Sequence, residues 1–322
     1  MTSPSPERVP PRGEDGPRGQ ANPFPDDPLV EREALYAFRE TGADRFRVDP
    51  IETGLLRQYG GAITSQCFAA ACATVGTDKV AHSLHAYFAR PGRIDQPNDF
   101  AVSRETDGRS FATRLVRMTQ GPELLMNGMV SFKAPEDAPR AQIAMPDVPA
   151  PETLVPLVET IDAMKADLPT RHHAYWTRRQ QIDWRPVEPF TFFDGPPRPA
   201  RRHFWFRFDG PVGTGRDGDT LAVHQRLLVY ASDLHIFQTG LGPLGQGWAS
   251  DYMQMSSLDH AVWFHEAFRV DDWLLYALHG PAAGNAMALG QGHVFRRDGT
   301  LVATVTQQGL ARVLSEKREG KL

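Results

Sequence analysis

The sequence predicts an α+β fold made of two tandem modules, each a central helix wrapped by an antiparallel sheet. Three observations carry this. A helix of small residues, Ala62 to Val75, is followed by four strand patterns separated by turns. After a proline-rich stretch the same order returns, with a helix over 221–237 leading into further strands. His85 maps on His260 and the turn at Gln120 on that at Asp298, offsets of 175 and 178 residues, so the second pattern reads as a copy of the first.

In chain order, residues 1–28 hold eight prolines among Gly, Arg, Asp and Glu and cannot bury enough apolar surface to offset ordering entropy. They are expected to form a disordered tail. The first module spans 29–134: a short lead-in helix over Leu29 to Thr41, a strand over Phe46 to Leu56, the helix opened by Gly60-Gly61, and strands at Ala81–Arg90, Asp99–Thr106, Ser110–Thr119 and Glu123–Ala134. Turns at Asp107-Gly108 and Gln120-Gly121-Pro122 join them. Between Pro135 and Pro199 stand twelve prolines, so 135–178 is expected to be a connector with one helix between Pro151 and Leu168, outside any core. The second module spans 179–316, with an edge strand at Ile182–Val187, where proline is tolerated. Strand Arg202–Phe208, helix Leu221–Phe237 and strands Tyr252–His265, Trp273–His279, Ala286–Arg296 and Leu301–Val313 follow, then a tail at 317–322.

Composition bounds the function. Of 322 residues, 41% are hydrophobic and 23% charged, ordinary for a globular protein; a formal charge of −4 offers no basic field, so a nucleic-acid partner is set aside. Cys67 and Cys72 lie five apart in one helix, where their side chains diverge, and they read as small core residues of a reducing compartment. No apolar run of 18 residues and no signal-peptide pattern occurs, so no membrane association and a cytoplasmic location are expected. Gly320-Lys321-Leu322 approaches a peroxisomal address but has Gly in its first position.

Chemistry concentrates between Val229 and Gln307. Val229, Asp233 and Phe237 fall at i, i+4, i+8, which places a carboxylate on an apolar helix stripe. Periodicity alone leaves open a capping or solvent-facing role. In the last strand, Leu301, Ala303, Val305 and Gln307 share one face, so Gln307 is a lone amide ending an apolar row. The first helix carries Gln66 and no carboxylate, so the second module is the catalytic candidate. Ser257 sits in a strand with no G-x-S-x-G elbow, which excludes an α/β-hydrolase nucleophile. His82, His85, His260 and His265 alternate along strands without a Cys or Glu at metal-ligand spacing, so no metal is expected. Arg90, Arg109 and Arg114 read either as phosphate contacts or as solvated surface.

Several of these segments are similar to the acyl-CoA thioesterase II family. They are Tyr59-Gly60-Gly61-Ala62, His82-Ser83-Leu84-His85-Ala86-Tyr87-Phe88, Tyr230-Ala231-Ser232-Asp233, the run from Ser257 to His265, Asp272-Trp273-Leu274-Leu275-Tyr276 and Gln307-Gln308-Gly309, within a similarity from Phe46 to Arg312. The resemblance implies a double hotdog and an acyl-CoA substrate hydrolysed without cofactor, metal or covalent acyl-enzyme. It gives Asp233 the role of activating water, with Ser257 and Gln307 orienting it, and the oxyanion donor is expected at a backbone N–H near the start of a hotdog helix. Phe237, Trp263, Phe264 and His82 are the expected substrate contacts, Asp259 and His260 are expected to tie strand to helix, and a homodimer or homotetramer is implied. Two rivals are an enoyl-CoA hydratase, whose D-x-N-P-x-H segment is not found, and a non-catalytic acyl-CoA binder.

Overall fold

A computed structural model describes residues 33, 35–50, 57–168, 176–177, 181–212, 220–247, 250 and 252–314. The expected tails at 1–28 and 317–322, and the address-like Gly320-Lys321-Leu322, lie outside the described residues. The described strands form one antiparallel sheet, β1 (Arg39–Gly42), β2 (Arg45–Val48), β3 (Val80–Phe88), β4 (Asn98–Asp107), β5 (Phe111–Gln120), β6 (Glu123–Lys133), β7 (Ile182–Pro186), β8 (Arg201–Phe208), β9 (Met253–Ser257), β10 (Asp259–Phe264), β11 (Leu274–Gly284), β12 (Met287–Arg296) and β13 (Leu301–Val313). The spatial order is β1-β2-β4-β5-β6-β3-β10-β13-β12-β11-β8-β7, with β9 also on β13. The two modules meet where β3 pairs with β10, His85 opposite Ala261.

Two long helices, α1 (Gly60–Cys72) and α3 (Leu221–Ser232), pack against each other within the sheet's curve. The small side chains of α1 permit a close fit: a Cβ on Gly128 of β6 would stand 2.6 Å from Cys67 Sγ. Phe68 is fully buried and meets Phe264 of β10 at 5.6 Å, so α1 from the first module is packed on a strand of the second. Burying such a ring contributes about 1.5–3 kcal/mol. Burial pushes both thiols, Cys67 and Cys72, up from the ordinary range, consistent with inert core residues.

Four expectations are corrected. Arg39 to Gly42, assigned to a lead-in helix, is a strand in a hairpin with β2. The connector is no bystander: the helix expected there is shorter, α2 (Leu157–Ala163), and Leu157, Ile161 and Trp176 are buried in the main core. The helix through Phe237 breaks, α3 ending at Ser232 and a short α4 (Ile236–Thr239) following a left-handed His235, φ 69°. The strand Tyr252–His265 is two strands, β9 and β10, interrupted at Leu258, where the register against β13 shifts by one residue. Those last two breaks shape the site.

Candidate active site

Asp233 is the C-cap residue of α3, so it lies past the helical stripe predicted for it. The antiparallel packing of α1 and α3 brings the head of α1 to this point. Gly61 N–H donates to Asp233 Oδ2 at 2.8 Å, and a Cβ on Gly60 would stand 2.9 Å from the same oxygen. The positive end of α1 thus faces the carboxylate, and only glycine leaves it room. Tyr59 O–H closes the junction by donating to Tyr230 C=O at 2.7 Å.

The interruption at Leu258 positions the other two residues. Thr306 pairs with Ala261 of β10 and Gly309 with Ser257 of β9, so Gln307 and Gln308 sit where β13 passes from one partner to the other. Leu258 N–H donates to Gln308 C=O at 2.9 Å, and Asp259 accepts from Gln308 N–H at 2.7 Å. Asp259 therefore ties strand to strand, not strand to helix as expected. Held in this way, Gln307 is fully buried and donates from Nε2 to Asp233 Oδ1, while its Oε1 has no partner among the described residues. The Ser257 hydroxyl lies near the same carboxylate and favours its ionised form. The three residues singled out in the sequence come together around one carboxyl group.

Burial is the largest influence on Asp233 and drives its pKa up; hydrogen bonds from Gln307 and Gly61 and the nearby Ser257 hydroxyl pull it down, and the balance lies above the ordinary carboxylate value. Its neighbour Ser232 is anchored on both sides. Tyr276 O–H donates to Ser232 C=O at 2.8 Å, and burial together with the charge on Asp233 raises the Tyr276 pKa, keeping it a neutral donor. Ser232 Oγ donates to Val229 C=O, so His260, 2.9 Å away, must supply the proton from Nε2. Burial lowers the His260 pKa to about 4, which keeps the ring neutral at physiological pH. Tyr276→Phe leaves a carbonyl at the end of α3 without its donor; the expected loss is about 1–3 kcal/mol in a denaturant titration. An unchanged midpoint would remove Tyr276 from this scaffold.

A cavity of about 380 Å³ opens beside Tyr59, Tyr230 and Leu234, the neighbours of Gly60 and Asp233. Leu157 and Trp176 of the connector, together with Ile182 and Trp184 of β7, line it further. Its size and apolar lining fit an organic ligand. The expected substrate contacts are not among its lining residues. Phe264 is packed on Phe68 in the core, and Phe237 lies against Gly309 in a separate cluster with Leu241 and Met253. On β10, Val262 and Phe264 alternate inward, which turns Trp263 outward against the exposed His85. His82 also faces out, bonded to Ser131 Oγ at 2.9 Å. Strand period 2 gives alternation but not which cavity a face meets.

Of the arginines, Arg114 is buried and spent on Asp107, Thr74 and Thr106, and so is no phosphate contact; Arg90 pairs with Glu123 at the surface. Among the described residues no cluster of three His, Cys, Asp or Glu is close enough to hold a metal ion, and no helix is long and apolar enough to cross a membrane. The site residues that sequence reasoning missed are Gly61, whose contribution is a backbone N–H, and the cavity wall from Leu157 to Trp184. For Gly61 the one signal was the Gly60-Gly61 pair opening a helix.

Comparison with known proteins places the chain in a family. Residues 176–310 match the family model described as acyl-CoA thioesterase, and residues 48–133 match the acyl-CoA thioesterase N-terminal domain. The chain is 31% identical over 267 residues to acyl-CoA thioesterase 2 of Haemophilus influenzae, covering 83% of this chain and 92% of that one. It superposes on the crystal structure of an acyl-CoA thioesterase II from Mycobacterium marinum with TM-score 0.71 and 31% identity, over 88% and 98% of the two chains. A hot dog protein from Alicyclobacillus acidocaldarius, 18% identical, shares the fold at TM-score 0.68 over 87% and 97%. With a double-hotdog fold and family matches in both halves, the chain belongs to the acyl-CoA thioesterase family.

Proposed function

We propose that the protein hydrolyses acyl-CoA to a free carboxylic acid and CoA, with Asp233 as general base on water and Gln307 and Ser257 orienting that water. The observation that carries the reading is the pairing of a carboxylate of raised pKa with an unpartnered buried acceptor, Gln307 Oε1, beside it. Two acceptors side by side hold both O–H bonds of one water, leaving an oxygen lone pair for the thioester carbonyl. As water oxygen bonds to the carbonyl carbon, Asp233 takes a proton and negative charge moves to the carbonyl oxygen. We assign the donor that stabilises it to the Gly60 N–H at the head of α1, since Gly61 donates to Asp233 and Ala62 and Ile63 donate to Tyr59 C=O. Collapse breaks the C–S bond, the proton on Asp233 passes to the departing sulfur, and acid and thiol leave.

The cavity beside Tyr59 and Tyr230 supports a place for the acyl chain, in preference to the tunnel through Phe237, Trp263 and Phe264. The raised pKa of Asp233 sets the pH profile: kcat/KM rises as pH climbs through that pKa, with its acid limb above the usual carboxylate range. The test is thiol release from short, medium and long acyl-CoAs, compared with Gln307→Ala and Ser257→Ala. Each variant is expected to lose about 10-fold or more in kcat with a smaller change in KM. Wild-type protein that binds acyl-CoA but releases no thiol would make it a binder.

We further infer a cytoplasmic enzyme that pairs as a homodimer or homotetramer, on the strength of the family resemblance. The exposed Tyr87 and Met129 on the outer face of β3 and β6 offer apolar surface for such pairing. Light scattering that gives a monomer mass at micromolar concentration would remove it.

A further inference from the structure

One residue of the cavity wall is at odds with its aromatic and aliphatic surroundings. Gln181 is 6% exposed, and neither its Nε2 nor its Oε1 has a hydrogen-bond partner among the described residues. Its backbone carbonyl accepts from Asp209 N–H at 2.8 Å, which pins the residue at the start of β7. Of the acidic residues in the same wall, Asp183 is engaged with Arg185 at 3.0 Å, and Asp209 is exposed at the rim. A shielded amide with both ends unpaired is disfavoured by itself and gains when a partner arrives. Gln181 is among the residues lining the cavity, so its side chain borders that space.

We propose that Gln181 determines acyl-chain specificity, and that the cavity takes acyl chains bearing a hydroxyl or keto oxygen, which pairs with the Gln181 amide. The proposal rests on the acyl-CoA reading for the identity of the ligand. A keto oxygen accepts from Nε2; a hydroxyl accepts from Nε2 or donates to Oε1. A plain hydrocarbon chain fills the same space with methylene groups and leaves the amide stranded. Sites built around a hydrogen-bonding group discriminate strongly against ligands that lack it, because the site's own polar group is then unpaired.

The experiment compares chain-length-matched acids and acyl-CoAs, unsubstituted or carrying a hydroxyl or keto group at successive carbons. Binding of the free acids is read from tryptophan fluorescence, since Trp176 and Trp184 line the cavity, and turnover of the thioesters from thiol release. Wild-type protein is expected to favour at least one oxygenated position by about 10-fold, in binding and in kcat/KM. Gln181→Leu is expected to reverse that preference toward the hydrocarbon chain. Equal affinities for plain and oxygenated acids at every position in the wild-type protein would overturn the proposal, and this comparison needs no variant to fold. So would a Gln181→Leu variant whose main defect is weaker binding of free CoA, because the amide would then serve the pantetheine arm. Because binding of the acids requires no turnover, absence of thiol release would count against the hydrolytic reading alone.

Discussion

Asp233→Asn is expected to lose about 10²- to 10⁴-fold in kcat toward every acyl-CoA the wild-type protein accepts, while folding and ligand binding persist. The substitution removes the base and retains the side chain's shape. Its effect on stability runs the other way. The pKa of Asp233 is raised in the fold, chiefly by burial, so ionising it is harder in the folded than in the unfolded chain. That ionisation subtracts from stability as pH rises from the ordinary value of 3.8 through the raised folded pKa, and the deficit is constant above it. Asp233→Asn is accordingly expected to melt at a higher temperature than wild type at pH 8, with the gain shrinking as pH falls toward 4. A variant that keeps near wild-type kcat on all acyl-CoAs would remove Asp233 from the chemistry; one that melts lower at pH 8 would show the carboxylate to be a scaffold.

Gly61→Ala carries the second large effect, through geometry. A Cβ at this position would stand 2.3 Å from Tyr230 C=O, a backbone atom of α3 that cannot swing aside, and 2.6 Å from the Tyr59 ring. The head of α1 must move away from the end of α3, and the N–H that holds Asp233 Oδ2 moves with it. A displacement near 1 Å at a reacting group costs on the order of 10² in rate. Both kcat and the melting temperature are expected to fall. Tyr59→Phe removes the hydrogen bond to Tyr230 without adding bulk and is expected to give a milder loss of both, separating loosened packing from outright collision. Wild-type kcat in Gly61→Ala would mean that the junction between the two helices does not position the carboxylate.

Parts of this site were legible in the sequence for physical reasons. Gln307 was placed correctly because strand period is rigid: on β13 it shares the inward face of Ala303 and Val305 whatever the sheet's neighbours are. Ser257 and Asp233 were found through the family resemblance, and periodicity gave the wrong local picture for Asp233. The stripe through Val229 and Phe237 assumed one unbroken helix, whereas the chain leaves helical geometry at His235. Nothing in residue type announces a left-handed histidine; its ring is held between Phe204 and Trp176, residues far apart in the chain, and tertiary packing decides the break. The cavity was illegible for a related reason. Proline density marked 135–178 as connector, and proline does exclude regular ladder pairing, but it does not stop Leu157 and Trp176 from being buried in the main core. Substrate contacts were assigned to the aromatic run at Trp263 and Phe264, and alternation sends one of those rings to the outer face and the other into the core.

In the proposed reaction Asp233 acts on water and not on the thioester itself. A single turnover with enzyme in excess over acyl-CoA, in water enriched in ¹⁸O, distinguishes these at the first cycle. The prediction is one ¹⁸O in the released acid, none in the peptide containing Asp233, and no acyl group on that peptide when the turnover is quenched in acid before completion, which excludes an anhydride opened at its acyl carbon. Released acid without label, together with ¹⁸O in the Asp233 carboxyl group, would show that the carboxylate attacks the acyl carbon and would contradict the account.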